Sequence, residues 1–286
     1  MRAGSAKALP ARMHRFEIPA HTQVAGRAAG QMKIGFVTDI HEDVESLSDA
    51  FTLLEEAGCD VFVCLGDIVG FTLPFQKNIS MRDANASVDL VADRCHTVVT
   101  GNHDLYAVRR CPTFNAGFPY SEDWYQLDYE HRAKLSRRRI WLYEDSELPV
   151  RLTARASAYL GGLPEYAVCT FDGVRILLSH FCFPDPSGST VRLPKSKRDL
   201  RQHFQLMATN DCMIAFSGHG HPEGSIFAGP KSFAFRAFGE YSVDTNPQWI
   251  VCPCVANTSR KNGVLVYDTS SSAVRVIPLG SRKKHV

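Results

Sequence analysis

Between Met32 and Asp104 the chain runs three short apolar segments, and each stops on small polar residues. The first is Lys33-Ile34-Gly35-Phe36-Val37-Thr38-Asp39, after which Val44, Leu47, Phe51 and Leu54 recur at helical spacing up to Gly58. The second, Val61 to Leu65, stops at Gly66-Asp67, and the third, Thr97 to Thr100, follows a short helical stretch around Val88, Leu90 and Val91. It stops at Gly101-Asn102-His103-Asp104. A 2.0-residue period alternating with a 3.6-residue period predicts β-α-β-α-β, a mainly parallel sheet with polar residues at the carboxyl ends of its strands. Disordered, collagen-like and coiled-coil chains are excluded.

Past this core the residues from about 105 to 165 are richer in aromatic and charged side chains (Trp124, Tyr125, Tyr129, Trp141, Tyr143). They are expected to form a helical insertion beside or over the sheet edge, including the basic stretch His131 to Arg139. Strand signals return at Tyr166 to Phe171 and Val174 to Ser179, joined by the hairpin dipeptide Asp172-Gly173. A helix around Leu200, Phe204 and Met207 is expected next, then strands at Met213 to Phe216, Trp249 to Val255, Gly263 to Tyr267 and Ala273 to Ile277. The longest apolar runs, VFVCLG and RILLSHF, are far shorter than the roughly 18 to 20 residues that span a bilayer.

Charge is uneven along the chain. Residues 1–31 hold five basic groups against Glu17, and residues 281–286 hold three more, so the remainder carries 24 basic and 29 acidic residues, a net of −5. A body of that sign is not built to wrap nucleic acid. The expected organisation is therefore a disordered basic extension over 1–31, one domain over 32–280 and a basic tail over 281–286. An organellar targeting peptide has the composition of the extension, but a plain disordered start is the simpler reading. Nine cysteines, an odd number without a paired framework, fit a reducing and hence cytoplasmic location. Cys252-Pro253-Cys254 lacks the spacing of a structural zinc site.

The chemistry-bearing residues collect where the strands end: Asp39 and His41, Asp67, Asn102 with His103 and Asp104, His180, and His219 with His221. An α/β sheet presents its ligand crevice there. On an extended strand end, residues i and i+2 point the same way, so Asp39 and His41 can reach one ion, while His219 and His221 either share an ion or divide between two. Imidazole, carboxylate and amide oxygen together suit manganese, iron, zinc or nickel rather than calcium. With Asp67 bridging, two such ions would stand about 3.5 to 4 Å apart, the spacing that clamps a phosphoryl group.

The series Asp39-x-His41, Gly66-Asp67, Gly101-Asn102-His103-Asp104, His180 and Gly218-His219-Gly220-His221 resembles the calcineurin-like metallophosphoesterase superfamily, over about residues 32 to 280. The run Cys64 to Gly70 is similar to its small bacterial and archaeal phosphodiesterase branch rather than to the protein phosphatases. The resemblance implies an α/β fold, a β-sandwich of two mixed sheets flanked by helices in α/β/β/α layers. It implies two divalent transition-metal ions, manganese first among the candidates, one held by Asp39, His41 and His221 and the other by Asn102, His180 and His219, with Asp67 between them. It further implies attack on a phosphodiester or a small phosphomonoester by a metal-bridging hydroxide, with His103 assisting the leaving group and Asp104 orienting His103. A phosphomonoesterase, dinucleoside polyphosphate hydrolase or protein phosphatase is the alternative within enzymes, and a non-catalytic protein-binding scaffold the alternative outside them.

Two departures from the family pattern, and two further features, stand out. Glu42 and Asp43 replace the Gly-Asn that the family usually carries after the first histidine, and Glu42 is expected to reshape or occlude the substrate side. Cys252-Pro253-Cys254-Val255 replaces an Asn-Pro-Gly-Ser turn, which places a thiol where a redox-active metal would oxidise it. The basic stretch Arg192, Lys195, Lys197, Arg198 and Arg201 reads as a solvated helix face, and Phe181 and Phe183 as either a wall of the site or core.

Overall fold

The computed structural model describes residues 31–76 and 79–280. Except for Gln31, the two basic ends expected from the sequence lie outside these residues.

Twelve strands and six α-helices are described, arranged as two six-stranded mixed sheets. The first sheet takes β1 (Lys33–Val37), β2 (Val61–Cys64) and β3 (Thr97–Val98) in parallel. It then continues antiparallel through β11 (Gly263–Asp268), β12 (Ala273–Pro278) and β9 (Gly239–Ser242). The second runs β4 (Tyr166–Phe171), β5 (Val174–Ser179), β6 (Ile214–Ser217), β10 (Gln248–Val251), β7 (Ser225–Ala228) and β8 (Phe233–Arg236).

Period-2 alternation decides which side chains meet. Ile34 and Phe36 of β1 point at the second sheet, where they join Ile176, Leu178, Ile214, Phe216 and Ile250 in a shared core. The rings of Phe36 and Phe216 stack at 4.3 Å across the two sheets. Val37, Cys64 and Val264 face the other way, onto α1 (Val44–Glu56), α2 (Ala84–Arg94) and α5 (Ala154–Gly162). On the opposite side Leu177, Ala215 and Trp249 meet Leu206 and Met207 of α6 (Arg201–Thr209). The layers are α/β/β/α, as the sequence led us to expect. Among the described residues no helix is long and apolar enough to cross a membrane.

The expected helical insertion is largely a correction. Only α3 (Asn102–Ala107), α4 (Tyr129–Ser136) and α5 are helical in that region, and turns held by a small cluster of Phe118, Trp124 and Ile140 make up the rest. Its aromatic residues pack on one another rather than along a helix face. The basic stretch 192–201 is solvated as expected, but it is a turn stitched by Asp199 to the backbone N–H groups of Lys195 and Ser196, and only Arg201 enters α6.

Candidate metal centre

The expected site residues lie in the loops after β1, β2, β5 and β6 and in the first turn of α3 after β3, and these segments are laced together. Asp39 N–H donates to Gly66 O and His41 N–H to Asp67 O, so the first two loops run side by side. Asp39, His41, Asp67, His219 and His221 all have positive φ, between 43° and 62°. Asp39 and His41 therefore converge through left-handed backbone, not through the strand alternation argued from sequence. Five non-glycine residues in this sparsely populated region mark a site held open against local preference.

Asp39, His41 and His221 place ligand atoms together, and so do Asp67, His180 and His219, with His41, Asp67 and His103 linking the two groups. His41 Nε2 lies 3.2 Å from His221 Nε2, which lies 2.9 Å from Asp39 Oδ1. Asn102 Oδ1 is 3.1 Å from His219 Nδ1. Neighbouring ligands about 2.1 Å from one ion stand about 3 Å apart in octahedral and about 3.4 Å apart in tetrahedral coordination.

Outer partners fix which atoms face inward. His41 Nδ1 donates to Gly70 O at 2.8 Å and His180 Nδ1 to Leu65 O at 2.7 Å, which leaves both Nε2 lone pairs for the centre. His180 Nε2 is fully buried without a hydrogen bond, although Asp67 Oδ2 lies 3.0 Å away. Asn102 Nδ2 donates to Tyr143 Oη at 2.6 Å, so the amide turns its oxygen inward. An orphaned imidazole nitrogen, two facing ring nitrogens and buried carboxylates together fit a divalent cation.

Electrostatics divide the imidazoles: without a cation, His41 and His219 are held neutral, while His180 and His221 are raised against burial, His180 by the facing carboxylates and His221 by Cys254 and Asp39. Burial, helped by neighbouring imidazoles, lowers His41 and His219 to about 3, so both are neutral ligands at pH 7. Burial alone would also lower His180, but Asp67 and Asp39 raise it to about 9. For the two carboxylates burial acts upward and the facing imidazoles overcome it, holding Asp39 and Asp67 well below the usual range.

Asp104 does not orient His103. Its carboxylate accepts from the N–H groups of Asp67, Ile68, Val69 and Gly101 at 2.8 to 3.1 Å, and so clamps the loop after β2 to the start of α3. Burial, with the Asp67 charge beside it, pushes this carboxyl up to about 7 against the pull of those donors. The group on His103 is Glu147, whose Oε2 lies 2.7 Å from His103 Nδ1. A β-bridge between Thr72 and Glu147 brings it there from the irregular segment. Burial works against a charged His103, yet Asp67 and Glu147 raise its pKa above the ordinary value. No spacing in the sequence marks Glu147 or Tyr143.

Two further expectations change. Glu42 does not occlude the crevice: it is buried, with φ +67°, and accepts from Gly70 N–H at 3.0 Å and from Arg82 Nε. Burial raises its pKa, and Arg82 opposes the rise. Cys252 and Cys254 are buried thiols whose pKa values burial raises, and Cys254 Sγ donates to Asp39 O at 3.1 Å. A thiol kept protonated and out of solvent is a poor target for oxidation. Phe181 is core, packed 4.5 Å from the His219 ring.

The cluster forms the floor of a cavity of about 510 Å³, walled by the loops carrying Phe75, Trp141, Leu193 and Arg260. A search of curated proteins finds no match. Among solved structures, a metallophosphoesterase from Sphaerobacter thermophilus is similar at 19% identity and TM-score 0.60, over 88% of this chain and 89% of that one. The hypothetical protein PH1004 from Pyrococcus horikoshii OT3 is similar at 15% identity and TM-score 0.55, over 88% of this chain and 90% of that one. Both share the fold. The model of the calcineurin-like phosphoesterase superfamily domain matches residues 32–228, a span that holds every strand-end ligand described above, and the chain belongs to that metal-dependent family of phosphoester hydrolases.

Proposed function

We propose that the protein is a phosphodiesterase working with two divalent ions, manganese first among the candidates. Asp39, His41 and His221 would hold one, Asn102, His180 and His219 the other, with Asp67 between them. The convergence of these seven side chains on two adjoining positions carries the reading. When bound, such ions polarise the phosphoryl group and lower the pKa of water toward neutrality.

The protein's own groups do the rest. His41 and His180 are pinned through Nδ1 by backbone carbonyls, and Asn102 is fixed by Tyr143, so the centre costs little reorganisation when substrate arrives. Glu147 holds His103 Nδ1 and leaves Nε2 to pass a proton to the departing alkoxide or aryloxide. Arg260 is the one lysine or arginine lining the cavity among the described residues, which suits a singly charged diester better than a polyphosphate. The similarity of Cys64 to Gly70 to the small phosphodiesterases supports the same choice.

Rates with manganese on bis-para-nitrophenyl phosphate and on para-nitrophenyl phosphate test this. The diester should be favoured, and Asp67→Ala and His103→Ala should each lower the rate at least 100-fold. A large preference for the monoester contradicts the diesterase reading, and full activity in both variants would credit the hydrolysis to a contaminant and favour a scaffold.

A further inference from the structure

The cavity is far larger than the phosphoryl group at its floor, and its upper wall has a definite chemistry. Phe75, Trp141 and Leu193 are 57%, 41% and 52% exposed, yet all three line this one concavity beside His41, Asn102 and His219. Large apolar side chains left open in a concave site, next to convergent polar groups, are the usual form of a small-molecule subsite. Other aromatic residues of the segment pair with one another, as Phe118, Tyr120 and Trp124 do, and Tyr143 packs on His103. Phe75 and Trp141 have neither a ring nor a cation partner among the described residues.

Beside this wall the polar trim is uncharged except for Arg260. Thr258 and Ser259 line the same wall, and Arg260 spends one guanidinium N–H on His221 O at 2.9 Å. The Thr258 hydroxyl is turned to its own loop, accepting from Arg260 N–H at 3.1 Å, so a heteroaromatic ring would offer its faces to Phe75 and Trp141 and a polar edge to Ser259, where an alkyl chain offers neither.

Resting on the diesterase reading, we propose that this wall is a subsite for the retained ester group of the substrate, and that this group is a flat aromatic ring, an aryl group or a nucleobase. The substrate class is thus a singly charged phosphodiester with one aromatic or nucleoside arm. Stacking of a base on an aromatic side chain corresponds to roughly 5- to 150-fold in binding.

Four para-nitrophenyl diesters that share a leaving group and differ in the retained arm (methyl, hexyl, phenyl and 5′-thymidyl) give the test. We expect kcat/KM for the phenyl and thymidyl esters to exceed that for the methyl ester by about tenfold or more. Whether phenyl or thymidyl leads distinguishes an aryl from a nucleoside arm. In Phe75→Ala/Trp141→Ala the ratio of aromatic to methyl ester should collapse toward one, chiefly through KM. An unchanged ratio overturns the subsite, and a hexyl ester that outruns both aromatic esters overturns its aromatic character. Calorimetric titration with a non-hydrolysable thymidine phenyl phosphonate reads the wall without turnover. About tenfold weaker binding in the double variant supports the subsite even if no ester is hydrolysed, in which case the diesterase reading alone fails. Equal affinity in both proteins overturns the subsite.

Discussion

At the scale of single residues, the informative side chains are those whose partners come from distant loops. Glu147 is the clearest. Its charge raises His103, so Glu147→Gln should lower the His103 pKa. The leaving group takes its proton from the charged imidazole, which exists below that pKa, so the alkaline limb of the pH–rate profile should move to lower pH. We expect kcat to fall about tenfold, less than the 100- to 10,000-fold of a lost general acid because His103 itself remains, with metal content unchanged. A second residue of this kind is Arg82, which faces the buried Glu42 carboxylate. Arg82→Ala strands that charge and should cost about 2 kcal/mol in urea denaturation, less than the 3 to 5 typical of fully buried pairs because Arg82 is partly exposed.

At the scale of elements, the loops after the strands matter more than the strands. Gly70 has φ +93°, and a Cβ there would stand 2.6 Å from His103 Cβ and Nδ1. Gly70→Ala should therefore displace His103, lowering activity by more than the 1 to 3 kcal/mol strain measured as lost stability would suggest. The β-α-β-α-β core and the hairpin at Asp172-Gly173 were legible because alternation and turn chemistry are local. The ligands were legible because each sits next to a strand whose period can be counted. Strands β7, β8 and β9 were missed: Phe233-Ala234-Phe235-Arg236 is short and half-exposed, and its pairing with β7 is set by tertiary context. Glu147 was missed for a related reason. The contact that makes it matter spans 44 positions and passes through a segment with no period. Asp104 was misread because adjacency in sequence to His103 does not bring the two side chains together on α3, whose first turn uses that carboxylate as a cap.

At the scale of the whole molecule, the layered fold carries its histidines in two ways. Those at the centre face one another and the carboxylates, while His203 is on the buried face of α6 near Trp249, where burial lowers it to about 3 and its Nδ1 accepts from Phe183 N–H. Its ordinary value is 6.5, so between pH 6.5 and 3 the unfolded chain binds the extra proton, and stability falls as pH drops through that window. The linkage amounts to roughly 5 kcal/mol at most. His203→Asn should flatten the pH dependence of the urea midpoint across that window. At pH 7 it should cost about 1 to 3 kcal/mol for the cavity it leaves.

Two ligand groups joined at Asp67 are what the proposed chemistry requires, and elemental analysis of manganese-reconstituted protein with parallel rates on an aryl diester tests this most directly. The prediction is two ions per folded chain, with Asp67→Ala losing both stoichiometric binding and hydrolysis. Folded protein that hydrolyses the diester at full rate with no bound divalent ion, or with its ion content untouched in Asp67→Ala, would contradict it.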